Sequence, residues 1–397
     1  MGEWQEATIS AIADLALSSL DPSQLGDELV EYFSIPAYDA GSPQLVSCSQ
    51  IHSNKFLVPE GSVLVSRINP HIPRVWLVDE ASSRLRLCST EFVPLRPRQP
   101  ISPDFLYQVC RSPTFLNKLR ELVTGTTGSH QRVDRTALLN IRVLLPPLSE
   151  QRAIAEILGA LDDKIEANRR VARALEQRLS AMFLQFGFDE LSDSDDDEVV
   201  TLSEILDVNP PRTRVTLDVA PYIDMAALPT DSALVTKPAF RQPKSGTRFI
   251  NKDTLMARIT PCLENGKVAF VDCLANNEVG TGSTEFLVLR PREPLPAQFA
   301  YFLARSRRFS AYAIQHMSGS SGRQRCSAEA IERYELAQPK SSDLIQFREL
   351  ADPSFAMMRG MVNESARLAD LRDALLPKLM SGEIRVRDAE RIVEDAV

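Results

Sequence analysis

Two short loops carry side chains suited to contact with nucleic acid. Thr124-Gly-Thr-Thr-Gly-Ser-His-Gln-Arg132 and Ser318-Gly-Ser-Ser-Gly-Arg-Gln-Arg325 combine glycines with hydroxyls, amides and guanidinium groups. Glycine lets a backbone approach a duplex closely, hydroxyls and amides bond phosphate, and Arg or Gln can bond bidentately to a guanine or adenine edge. Ser129, His130, Gln131 and Arg132 in the first loop, with Arg323, Gln324 and Arg325 in the second, are therefore the candidates for reading bases. Lys55, Arg67, Arg96, Arg98, Lys244, Arg248, Arg258, Arg290 and Arg292 are the candidates for phosphate contact. Arg96 and Arg98, like their counterparts Arg290 and Arg292, could equally brace the Pro-rich turns in which they sit. A solvated surface loop is the plain alternative for the loops themselves. Neither contains the lysine of a nucleotide-binding phosphate loop.

Other chemistry finds little support. No Asp…Glu-x-Lys nuclease set is present, and no spacing picks out a Ser/His/Asp triad. Asn209-Pro210-Pro211-Arg212 resembles the Asn-Pro-Pro-aromatic motif of amino-methyltransferases, but Arg stands where an aromatic ring would stack on a flipped base. No Gly-rich cofactor loop precedes it, so it reads as a turn. The six cysteines form no C-x-x-C pair, and four histidines give no zinc spacing. No cofactor, metal or catalytic residue is expected. No apolar run approaches the roughly 18 residues of a membrane span, and no apolar signal segment follows Met1-Gly2. The expectation is a cytoplasmic protein with reduced thiols and no membrane contact.

Charge at first argues against a nucleic-acid partner. With 45 bases and 53 acids, the chain of 397 residues carries a formal charge of −8. The distribution is lopsided. Residues 1–40 hold eight acids and residues 189–198 hold seven, with no Lys or Arg in either stretch; the remainder has 38 acids against 45 bases. Residues 86–142 carry nine bases and four acids, and residues 284–340 carry nine bases and five acids. Such patches can displace counterions from phosphates.

The elements that must position these residues come twice. Ser89-Thr90-Glu91-Phe92 recurs as Ser283-Thr284-Glu285-Phe286, and Leu95-Arg96-Pro97-Arg98 as Leu289-Arg290-Pro291-Arg292, both at an offset of 194. Phe105 and Phe115 match Phe299 and Phe309. Arg67-Ile68-Asn69-Pro70 answers Arg258-Ile259-Thr260-Pro261, and Gln131-Arg132 answers Gln324-Arg325. The chain is a tandem repeat of one unit of about 195 residues. Each copy reads as a short helical opening, several strands, a Pro-rich turn, a helix (Phe105–Val123 in the first) and a Gly/Ser/Thr loop.

Each copy then ends in a long helix. Ile154, Leu158, Leu161, Ile165, Asn168, Ala172, Leu175, Leu179, Met182 and Phe186 keep strict four-three spacing, which specifies a coiled-coil seam with Asn168 as its polar layer. Ser149 is placed to cap this helix and Gly187 to close it. In the second copy Asp352-Pro353 supplies a cap and first turn, Leu368, Leu371 and Leu375 continue a looser seam, and Pro377 should kink the end. Two such helices of one duplicated chain most simply pack antiparallel about a pseudo-twofold axis. The expected fold class is α+β, two globular domains in tandem separated by two long antiparallel coiled-coil helices. The expected boundaries are 1–148 and 199–342 for the globular domains, 149–187 and 343–381 for the helices, 188–198 for a mobile acidic linker and 382–397 for a tail.

The segment Leu145-Pro-Pro-Leu-Ser-Glu-Gln-Arg-Ala-Ile-Ala-Glu-Ile-Leu-Gly-Ala-Leu-Asp-Asp-Lys-Ile-Glu-Ala-Asn168 resembles the central spacer helix of the specificity subunits of type I restriction–modification enzymes. Leu375-Leu-Pro-Lys-Leu-Met-Ser-Gly-Glu-Ile-Arg385 is similar to that family's second conserved region, and the two-copy architecture also matches. Lys340–Phe355, which should mirror Pro147–Asp162, lacks the Pro-Pro-Leu-Ser-Glu-Gln start. The resemblance implies two target-recognition domains, each reading one half of a gapped site in double-stranded DNA. It also implies that the helices dock two methyltransferase subunits, that motor-nuclease subunits join them, and that the chain itself is not an enzyme. A duplicated coiled-coil scaffold without a nucleic-acid role remains the alternative.

Overall fold

A computed structural model describes residues 4–78, 82–124, 131–191, 198–211, 215, 218–243, 245–320 and 322–395. The chain divides into two compact units, Met1–Lys164 with Leu368–Val397, and Ile165–Arg367. Among the described residues no helix is long and apolar enough to cross a membrane.

The repeat in sequence is a repeat in topology. In the first unit an antiparallel sheet runs in the order Ala13–Leu15, Phe92–Pro97, Val63–Ser66 and Val75–Leu77. In the second the order is Leu206–Val208, Phe286–Pro291, Thr254–Ala257 and Val268–Phe270. Their inner strands are almost wholly buried, so they read as continuous apolar runs rather than alternating ones. A second sheet follows in each unit. Leu29–Phe33 lies parallel to Arg86–Cys88, flanked by Gln44–Ser47 on one side and by Lys55–Leu57 and Ser19–Leu20 on the other. Ala220–Ile223 lies parallel to Gly280–Gly282 in the same way, flanked by Ala239–Arg241 and Thr247–Phe249. Each unit is closed by pairing its opening strand with its last one, Gln5–Thr8 with Arg142–Leu145 and Val199–Thr201 with Glu335–Ala337.

The helix expected over Phe105–Val123 is two helices, Pro103–Arg111 and Pro113–Glu121. The break falls at Ser112, whose extended backbone is what a residue before proline prefers, and whose hydroxyl caps the second helix by accepting from Phe115 N at 3.3 Å. The second copy breaks at Ser306 between Phe299–Arg305 and Arg307–Gln315, with the same cap on Phe309 N. Phe105, Phe115, Phe299 and Phe309 are fully buried.

The central helix spans Leu148–Gln185, two residues earlier than a Ser149 cap implies, with Pro147 O accepting from Glu150 N and Gln151 N. At its end Gly187 takes φ +65°, and Phe188 N returns to Phe183 O at 3.3 Å, a glycine-dependent closure. The C-terminal helix is one element, Ser341–Ser381, so Asp352-Pro353 neither caps nor starts it. Phe347, Ala351, Phe355 and Met358 are buried on both sides of Pro353; packing holds the helix through a residue that would otherwise end it.

Of the expected seam, Ile154, Leu158, Leu161, Ile165, Asn168, Leu179, Leu368 and Leu375 are buried, while Leu175 and Leu371 are half-buried. In the first unit Asp162 pairs with Arg372 at 2.6 Å. In the second, the Asn168 amide donates to Glu364 at 2.7 Å and to Ser365 at 3.3 Å. In that same unit Phe183 packs on Phe347, so numbers rise along one helix as they fall along the other, which is antiparallel order.

The acidic stretch does not begin as a free linker. Phe188 and Asp189 are 2% and 4% exposed, and the Asp189 carbonyl accepts from Tyr334 Oη at 2.9 Å and Arg308 Nη1 at 3.2 Å. Residues 192–197 lie outside the described residues.

Candidate nucleic-acid interface

Three of the repeated short sequences meet in space, once in each unit. In the first, Val123–Thr124 and Arg132–Val133 form the base of a hairpin that docks on the segment after strand Val63–Ser66. Asn69 N donates to Gln131 O at 3.0 Å, Val133 N to Arg67 O at 2.9 Å, and Arg67 Nε to Val133 O at 3.0 Å. The Arg132 guanidinium grips Glu91 through Nε at 3.1 Å and Nη2 at 2.8 Å. Arg135 reaches the neighbouring Thr90 carbonyl at 2.8 Å.

The second unit builds the same arch. Met317–Ser318 pairs with Arg325–Cys326, Thr260 N donates to Gln324 O at 3.1 Å, and Cys326 N donates to Arg258 O at 2.8 Å. Arg325 grips Glu285 through Nε at 2.9 Å and Nη2 at 2.7 Å. In each copy the serine two residues before the glutamate fixes its backbone, Ser89 Oγ accepting from Glu91 N and Ser283 Oγ from Glu285 N. The Arg325 guanidinium holds the Glu285 carboxyl below its ordinary range, and the carboxylate raises Arg325 in turn. Gly319 adopts φ +127° here, and a Cβ on it would stand 3.0 Å from the Arg323 carbonyl, so this turn requires glycine.

Glu91 and Glu285 are absent from the sequence candidates, although they stand inside the repeated Ser-Thr-Glu-Phe. The signal was the repeat itself. A charged residue kept in both copies, next to a hairpin with an Arg kept in both, marks an ion pair that shapes the loop.

The remaining candidates divide by environment. Ser129, His130 and Lys244 lie outside the described residues. Arg323 and Gln324 are exposed and Gln131 is half-buried. Arg96 is exposed, Arg67 and Arg258 are half-buried, and Arg258 Nε has no hydrogen-bond partner among the described residues. Arg98 and Arg292 pair with Asp14 at 2.5 Å and Asp207 at 2.6 Å, matched acids on the adjoining strands, so both brace the Pro-rich turn. Arg290 is held bidentately by the buried Asp253, at 2.6 and 2.8 Å, and belongs to the frame of its unit.

Lys55 is not on the surface. It is 7% exposed, its ammonium bonds Ser53 O at 2.8 Å and lies over the Tyr32 ring, and burial lowers its pKa. Its strand lies between Ser19–Leu20 and Arg86–Cys88, and that inner position holds Lys55 within the unit. Asn209 takes φ +52° and its side-chain oxygen accepts from Val288 N at 3.1 Å, the geometry of a turn. Among the described residues no group of three or more His, Cys, Asp or Glu could hold a metal ion.

The chain is thus a duplicated α+β protein with one guanidinium–carboxylate hairpin in each unit. Residues 1–177 match the model of the family described as the type I restriction modification DNA specificity domain. The chain is 27% identical over 205 residues to the type I restriction enzyme EcoEI specificity subunit of Escherichia coli, covering 50% of this chain and 34% of that one. It is 35% identical over 79 residues to the MjaVIII specificity subunit of Methanocaldococcus jannaschii, covering 20% of this chain and 18% of that one. The chain thus spans about a third or less of the length of these curated relatives. Its fold is shared with the type I restriction-modification system S subunit from M. genitalium, with a TM-score of 0.54, 15% identity, and coverage of 95% of this chain and 96% of that one.

Proposed function

We propose that the chain is a DNA sequence-specificity subunit that reads a bipartite, gapped site in double-stranded DNA and positions methyltransferase and restriction subunits upon it, with no chemistry of its own. The observation that carries this reading is the doubled arch, in which Arg132 on Glu91 and Arg325 on Glu285 are presented by the same hairpin in each unit. One arch per unit supplies one contact per half-site. The central helix, 38 residues and roughly 57 Å long, exceeds the roughly 34 Å of one duplex turn, a length suited to a site in two separated halves. The outer faces of the long helices, away from the buried seam, are the proposed docking surface for two methyltransferase subunits, to which motor-nuclease subunits add.

A duplex mobility-shift series, run with the chain and its methyltransferase subunits at rising salt, tests the reading. A shift that weakens steadily with salt is the expected result, because each neutralised phosphate releases counterions. No shift at any salt leaves the duplicated scaffold as the surviving account. Arg132→Ala and Arg325→Ala should each relax base preference in one half-site only, by roughly 5- to 150-fold at the position read. Uniform loss across sequences would make them phosphate contacts.

A further inference from the structure

The second sheets of the two units share four strands in the same order, the first adding Ser19–Leu20 at its edge, so the shared positions can be compared one by one. In the first unit Tyr32 pairs with Gln44 and with Leu87, Val30 pairs with Val46, and Leu57 pairs with Leu87. In the second, Tyr222 pairs with Ala239 and with Thr281, Ala220 pairs with Arg241, and Arg248 pairs with Thr281. Aligning the ladders on Tyr32 and Tyr222 sets Val46 against Arg241, Leu87 against Thr281 and Leu57 against Arg248. In-register partners and residues two apart share one face of a sheet, so all these positions lie on the same face.

That face has opposite chemistry in the two copies. In the first unit Val46, Tyr32 and Leu57 pack on Val30, Cys48, Ile51 and Leu87, beneath Leu20 and Leu25. In the second, the apolar positions have become two guanidinium groups and a threonine. Arg241 stacks over the Tyr222 ring, 4.4 Å from its centroid, and lies 3.6 Å from Asp224, with 55% of its side chain exposed. Arg248 is half-buried, and its Nη1 has no hydrogen-bond partner among the described residues. A buried guanidinium nitrogen without an acceptor costs free energy that an incoming acceptor would recover. The local charge follows suit: residues 237–249 hold Lys237, Arg241, Lys244 and Arg248 with no acid, whereas residues 44–56 hold Lys55 alone.

We infer that Tyr222, Arg241 and Arg248 form a base-discriminating DNA-contact face that the second unit has and the first lacks. The proposal rests on the DNA-reading function argued above. Ring stacking and a nearby carboxylate hold the Arg241 fork in one orientation before DNA arrives, which is what bidentate reading of a guanine edge needs. The ion pairs at the base of the arches, Arg132 on Glu91 and Arg325 on Glu285, are common to both units. A side chain present in only one unit can make the half-sites differ.

The first unit supplies the test substitutions, since Val and Leu already occupy the equivalent places. Bound duplexes are selected from a random pool by the full chain with its methyltransferase subunits, as wild type, Arg241→Val, Arg248→Leu and Arg241→Lys. We expect Arg241→Val and Arg248→Leu to lose base preference in one half of the site by roughly 5- to 150-fold, with the other half unchanged. Arg241→Lys keeps the charge and loses the fork, so it should retain salt-dependent affinity while losing the same preference. That variant keeps the test decisive should the apolar ones misfold. An unaltered two-part preference in all three variants, or a uniform loss of affinity with preference intact, overturns the assignment. If the wild type itself selects no sequence, the DNA-reading function fails instead.

Discussion

The two units hold their shares of the long helices by different means. In the first, Arg111 from helix Pro103–Arg111 and Arg372 from the C-terminal helix converge on the two oxygens of Asp162, at 2.5 and 2.6 Å. Arg111 also covers the Tyr107 ring at 4.8 Å, and burial pushes that phenol up to about 12. In the second, the residue equivalent to Tyr107 is Tyr301, which is fully buried and donates to Glu176 on the central helix at 2.5 Å. Around it runs an aromatic core. The Phe183 ring lies between 5.1 and 6.0 Å from those of Phe188, Phe299, Phe302 and Phe347. Duplication preserved strand order and hairpins because register permits little drift. The helix contacts drifted freely, one toward charge and one toward aromatic packing.

This difference predicts unequal responses to substitution, which can be ranked. Phe183→Ala removes the centre of the aromatic cluster and should cost the second unit about 3–5 kcal/mol, leaving the first intact, as two separable transitions in calorimetry would reveal. A shared loss would mean the units melt as one. Asp162→Ala leaves the mostly buried Arg111 without its carboxylate and Arg372 with Asp373 alone, and should cost the first unit about 1.5–3 kcal/mol. Equal melting of variant and wild type would demote that network to surface decoration.

The buried carboxyl of Glu176 gives a smaller, pH-dependent effect. Burial raises its pKa above the ordinary 4.5, so the folded chain holds this proton more tightly than the unfolded chain. The stability of the second unit should therefore fall as pH rises from about 4.5 through the raised folded value. Glu176→Gln keeps an oxygen that can accept from Tyr301 and loses the titration, so it should flatten that slope and melt higher than wild type at neutral pH. A slope unchanged in the variant would contradict it. Smallest of all, Arg98→Ala and Arg292→Ala remove exposed, matched ion pairs and should leave both transitions where they are.

Much of this was legible in the residues. The repeat predicted two like units, and four-three spacing predicted the central helix, because register and packing leave periodic traces. What escaped depended on partners distant in sequence. Pro353 reads as a helix start until Phe347 and Phe355 are seen buried on either side of it. Lys55 reads as a surface cation until its strand is placed between two others. Asp189 reads as linker charge, yet its carbonyl is bound by Tyr334. Glu91 and Glu285 were visible as repeat and invisible as site, since an ion pair to Arg132 or Arg325 has no local signature. The basic face of the second unit needed both ladders in register before Arg241 could be seen standing where Val46 stands.

The most direct test of the central claim is an exchange of one unit's globular part. Sites methylated by the assembled complex are mapped before and after residues 199–342 are replaced by the corresponding domain of a related specificity subunit. The account predicts a two-part recognition sequence in which one part changes and the other, with its distance from the gap, stays as it was. A change in both parts, or in neither, would contradict it.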